Sequence, residues 1–96
     1  MTNLTSIKNT LTQLKPELTR KFFVNSIGLF GSVVRDDFNE ESDIDIIVDF
    51  DKPIGVEFID LADFIESKLR KRVDLVSKNG VKARYLQQIQ SEIIYV

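Results

Sequence analysis

Leu4, Ile7, Leu11, Leu14 and Leu18 return every three or four residues, the spacing of one helix face. Pro16 falls inside that pattern. It lacks an N–H, so it is expected to kink the helix, or to end it and start a second turn. Val24–Phe30 is apolar enough for a strand and stops at Gly31-Ser32. Val33 to Phe38 reads as a short helix, and Asn39 to Ser42 as a polar loop. Asp43–Phe50 is the clearest strand. Ile44, Ile46, Val48 and Phe50 make one apolar face, while Asp43, Asp45, Ile47 and Asp49 line the other. Phe58, Leu61, Ala62, Ile65 and Leu69 trace another helix, closed by the cations Arg70, Lys71 and Arg72 at its negative end. Val73–Val76 is a short buried strand, Asn79-Gly80 a turn, and Val81, Tyr85, Leu86, Ile89 and Ile93 the stripe of a last helix. Glu92–Val96 continues that helix or leaves it as a short edge strand.

Strands alternating with helices predict an α/β sandwich. The 96 residues suit one domain, spanning 1–96, with no room for a separate acceptor-binding domain. The N-terminus has no apolar core of signal-peptide length and no run approaches a membrane span, so a cytoplasmic protein is expected. Cysteine and histidine are both absent. Any bound metal must therefore be held by oxygen, which favours Mg²⁺, Mn²⁺ or Ca²⁺ over Zn²⁺. The net charge is only −2 but is unevenly spread: residues 36–66 hold twelve of the fifteen acids, and residues 68–84 hold seven of the thirteen bases. Two solvated surfaces of opposite sign are one reading. An acidic metal edge beside a basic rim is the other.

The densest chemistry lies between Gly31 and Phe50. Asp43 and Asp45 share one face of their strand, with Cα atoms roughly 6.5 Å apart, so both carboxylates can reach the same divalent cations. Such a pair repels and sits poorly in a strand unless a cation compensates it. Gly31-Ser32 offers free amides and a hydroxyl, as a phosphate cradle does. A calcium loop of EF-hand type fails, because Val48 and Ile54 stand where it needs Gly and Glu. Asp74, between Val73 and Leu75 in a core strand, needs a task or a partner; a salt bridge with Arg72 or Arg70 is the plain alternative. Gly31-Ser32, Asp43, Asp45 and Asp74 meet at one sheet edge only if the first strand runs against the second and third. A mixed sheet is therefore predicted. Asp49, Asp51 and Tyr85 are read as structural or surface residues.

G-S, ten residues, then D-x-D, set between apolar strands and followed by K-R-V-D-L-V, resembles the nucleotidyltransferase superfamily of DNA polymerase β-like fold, and its minimal branch in particular. The resemblance runs over nearly the whole chain and implies an α/β (α+β) fold of order α-β-α-β-α-β-α with a small mixed sheet. It implies that Gly31 and Ser32 bind triphosphate, with Arg35 matching a common G-S-x-x-R arginine, and that Asp43, Asp45 and Asp74 hold one or two Mg²⁺ ions. Asp36 stands where a Gly often follows that arginine. The implied reaction is transfer of AMP from ATP to a hydroxyl. The implied partner is a HEPN-domain toxin, silenced on a tyrosine, with this chain as antitoxin. Two rivals remain: a binding module that neutralises its partner by masking, and an adenylyltransferase of a small molecule such as an antibiotic.

Overall fold

A computed structural model of the chain describes residues 3–35, 38–39 and 41–96. Helix α1, Leu4–Phe22, starts where Asn3 Oδ1 accepts the Ser6 N–H at 2.8 Å, and ends where Phe23 takes a left-handed conformation and donates back to Leu18 and Thr19. The helix runs through Pro16 as one element. The expectation of a break there is corrected: Pro16 lies on the exposed side, where water can serve the carbonyl it leaves unpaired. Leu11 and Leu18, buried on either side of it, anchor both halves to the same core.

Strand β1, Val24–Phe30, is followed at once by a 3₁₀ turn, Gly31–Val34. The helix predicted over 33–38 is therefore corrected. Gly31 itself opens the turn with φ +76°, and Arg35 is already extended. Asp36 and Asp37 of that span lie outside the described residues. Ser42 N–H bonds Asn39 carbonyl at 3.0 Å in a turn that delivers the chain to strand β2, Ile44–Phe50. Helix α2, Glu57–Leu69, closes with Arg70 at φ 56°, donating to Glu66 carbonyl at 2.7 Å. Glu66 then accepts the Val73 N–H at 2.8 Å, fixing the start of strand β3, Val73–Ser77. The last helix, α3, spans Ala83–Ile89, starting two residues after Val81; a 3₁₀ turn, Gln90–Glu92, leads to strand β4, Ile94–Tyr95. Of the two readings of the C-terminus, the edge strand is the one observed.

The sheet order is β3-β2-β1-β4. β1 is antiparallel to β2 and β4, while β2 and β3 are parallel, joined by the α2 crossover. The mixed sheet required by the polar residues is what forms. One face carries Ile44, Ile46 and Val48 against Ile7, Leu11 and Leu18 of α1 and Leu61 and Ile65 of α2. The other carries Phe30 and Ile47 under Ile89, flanked by Val76, Leu86 and Ile93. Short α3 covers this second face only in part, and Asp45 opens onto it beside Ile47. Among the described residues no helix is long and apolar enough to cross a membrane.

Candidate active site

Strand pairing brings the acids together. β2 and β3 run in parallel register with Asp45 directly opposite Asp74, and on its other side Asp45 is opposite Phe30, the last residue of β1. Gly31 then turns over Asp45. A Cβ at Gly31 would collide with Asp45 Oδ2 and lie 3.0 Å from its Cγ. Only glycine fits there, because the position combines a positive φ with that close approach. Ser32, half-buried, takes the next position of the turn.

Asp45 is half-buried and its carboxyl is pushed up to about 6. Burial contributes most, followed by the negative charges of Asp74 and Asp43 and a side-chain hydrogen bond with Asp74; the positive charge of Arg35 opposes them. Asp43 and Asp74 are both exposed. Arg72 Nε lies 3.3 Å from Asp43 Oδ1, so the arginine proposed as Asp74's salt-bridge partner pairs with Asp43.

Among the described residues no three acids converge closely enough to enclose a metal as they stand. Asp45 and Asp74 meet, while Asp43 is drawn towards Arg72. The fit to a hard divalent cation nonetheless follows from the donor set: every donor is a carboxylate oxygen, and Asp45 and Asp74 stand opposite each other in register at the sheet edge. The Asp43–Arg72 pair is exposed on both sides, and such pairs hold by about 1 kcal/mol or less, so Asp43 is easily released to a stronger cation.

One residue of this region went unnoticed in the sequence. Glu92, on the 3₁₀ turn after α3, accepts the Gly31 N–H at 3.0 Å through Oε1, and its Oε2 lies 3.5 Å from Arg35 Nη1. Nothing in the spacing of Glu92 signals that contact, which depends on β4 folding back beside β1. Tyr85, read as a structural or surface residue, is both: it is exposed and packs edge-on against Phe30, the cross-strand partner of Asp45, with ring centroids 6.4 Å apart.

Residues 11–96 match the nucleotidyltransferase domain family. The chain is 42% identical over 97 residues to the protein adenylyltransferase MntA of Thermococcus cleftensis, covering 100% of this chain and 98% of that one. It is 38% identical to a candidate protein adenylyltransferase of Methanocaldococcus jannaschii, with 100% of both chains covered. Among solved structures, a candidate minimal nucleotidyltransferase superposes with a TM-score of 0.84 at 28% identity, covering 97% of this chain and 95% of that one. A toxin–antitoxin crystal structure with AMP-PNP superposes with a TM-score of 0.71 at 26% identity, covering 98% of this chain and 72% of that one. This protein belongs to the nucleotidyltransferase family, in the minimal branch that its sequence motifs resemble.

Proposed function

We propose that this chain transfers AMP from ATP to a tyrosine hydroxyl of a HEPN-domain toxin in the cytoplasm and thereby acts as its antitoxin. The observation that carries the reading is the Asp45–Asp74 pair in register beneath the Gly31 turn: carboxylates for a cation sit directly below a backbone cradle for phosphate. The name of the MntA relative supports a protein acceptor, and the AMP-PNP in the toxin–antitoxin structure supports an adenine nucleotide. The family resemblance supplies the HEPN partner.

Asp43, Asp45 and Asp74 would hold Mg²⁺, which supplies charge neutralisation at the phosphates. Gly31 and Ser32 seat the triphosphate, with Arg35 adding positive charge beside them. The acceptor oxygen attacks the α-phosphorus; the new O–P bond forms as the bond to the β-phosphate oxygen breaks, and pyrophosphate departs. Asp74, exposed on the edge strand β3, would serve as a metal ligand or take the acceptor's proton. Little else is needed, because phosphoryl-type transfer relies on positioning and electrostatics more than on covalent chemistry.

Asp43→Asn and Asp74→Asn are each expected to lower AMP transfer to the toxin by about 100-fold or more, and to abolish neutralisation in parallel. Transfer is followed by intact-mass analysis of the toxin, and neutralisation by its ribonuclease activity. Loss of transfer with neutralisation intact would show that masking suffices and would remove catalysis from the antitoxin role.

A further inference from the structure

Glu92 occupies the groups assigned above to the triphosphate. Its two carboxylate oxygens reach the Gly31 N–H at 3.0 Å and the Arg35 guanidinium at 3.5 Å. A carboxylate and a phosphate oxygen use the same donors, and one N–H cannot serve both fully. A bound triphosphate would also meet Glu92's negative charge at close range. The contact is built to be reversible: the Arg35 and Glu92 side chains remain 53% and 28% exposed, so the ion pair is screened.

The main chain around Glu92 is held on both sides. Ile89 is buried before it, and after it β4 pairs Ile94 with Leu29 and Tyr95 with Gly28. The Val96 N–H closes the edge on the Ile27 carbonyl at 3.0 Å. The carboxylate can therefore leave by side-chain rotation while the backbone stays in place.

We infer that Glu92 is a displaceable internal anion of the nucleotide site. It occupies the Gly31–Arg35 seat when no nucleotide is bound, and its displacement sets the affinity for triphosphate. The inference rests on Gly31 and Arg35 being that seat.

Calorimetric titration of ATP with Mg²⁺ into the purified chain, without acceptor, tests it on wild type, Glu92→Ala and Glu92→Gln. Removing a charged, half-screened competitor is expected to tighten ATP binding about tenfold in the Ala variant. The isosteric Gln variant, which still accepts from Gly31 but carries no charge, should gain roughly threefold. Pyrophosphate should follow the same order, because the seat recognises phosphate and not adenine. Unchanged or weaker binding in both variants, with circular dichroism showing them folded, would make Glu92 a fixed support of the turn and overturn the inference while leaving the nucleotide site standing. If neither wild type nor either variant binds ATP, both readings fall. Binding by the variants alone would support the displaced anion.

Discussion

Asp45→Asn is expected to cut AMP transfer by on the order of 10³-fold while making the nucleotide-free protein more stable. The two effects have one cause. Asp45 is half-buried opposite Asp74, and burial, with the negative charges of Asp74 and Asp43, pushes its carboxyl up to about 6. The folded state therefore binds that proton more tightly than the unfolded chain, whose Asp titrates near 3.8. The contribution to stability is undiminished below the unfolded value, declines as pH rises through the interval from about 4 to about 6, and is a constant penalty above it. Asn removes the charge, keeps the shape and can still hydrogen bond to Asp74. With screening of a half-exposed group allowed for, the gain at neutral pH is about 1 kcal/mol, or roughly 4–8 °C in Tm. The difference in Tm between variant and wild type should vanish near pH 4. Mg²⁺ should raise the wild-type Tm more at pH 7.5 than at pH 5, and leave the variant nearly unmoved. A Tm difference that is flat with pH would mean that Asp45 is not the strained group.

Gly31→Ala is expected to damage fold and chemistry together. At φ +76° an L-residue costs roughly 1–2 kcal/mol, and the added methyl must also displace the Asp45 carboxylate. A loss of about 2–3 kcal/mol should lower Tm by about 10–15 °C. Transfer measured well below that Tm should still fall by about 100-fold, because Asp45 is pushed away from Asp74 and the amide no longer faces the phosphate. The paired readings of Tm and rate separate the two losses. Wild-type rate in a destabilised Gly31→Ala protein would show that the turn serves folding alone.

Much of this arrangement was legible in the chain. The span Val24–Phe30 matches β1, and the alternating face of Ile44, Ile46 and Val48 is buried as its period requires. The antiparallel pairing of β1 with β2 could be argued before any coordinates, because the polar groups at the end of one strand and the starts of two others can meet at one edge in no other way. The failures have physical reasons. Of the kink or break that the missing N–H of Pro16 predicts, the break does not occur, because packing on the buried side of α1 holds the two halves in one helix. The short helix expected from Val33 gives way to a single 3₁₀ turn that Gly31 opens at positive φ and extended Arg35 ends. Of the two arginines that sequence proximity offers Asp74, Arg72 instead reaches Asp43 across the β2–β3 pair. Glu92 was invisible because its contact spans 61 residues and depends on a two-residue edge strand.

That Asp43, Asp45 and Asp74 serve nucleotidyl transfer is tested most directly by following each phosphate of ATP. The chain is incubated with the proposed HEPN-domain partner, Mg²⁺ and ATP labelled at either the α or the γ position. The α label should remain on the proposed acceptor tyrosine of that partner while the γ label leaves as pyrophosphate, and neither should attach when Asp45→Asn replaces wild type. Label arriving on the partner from the γ position, or α label transferred equally well by Asp45→Asn, would contradict it.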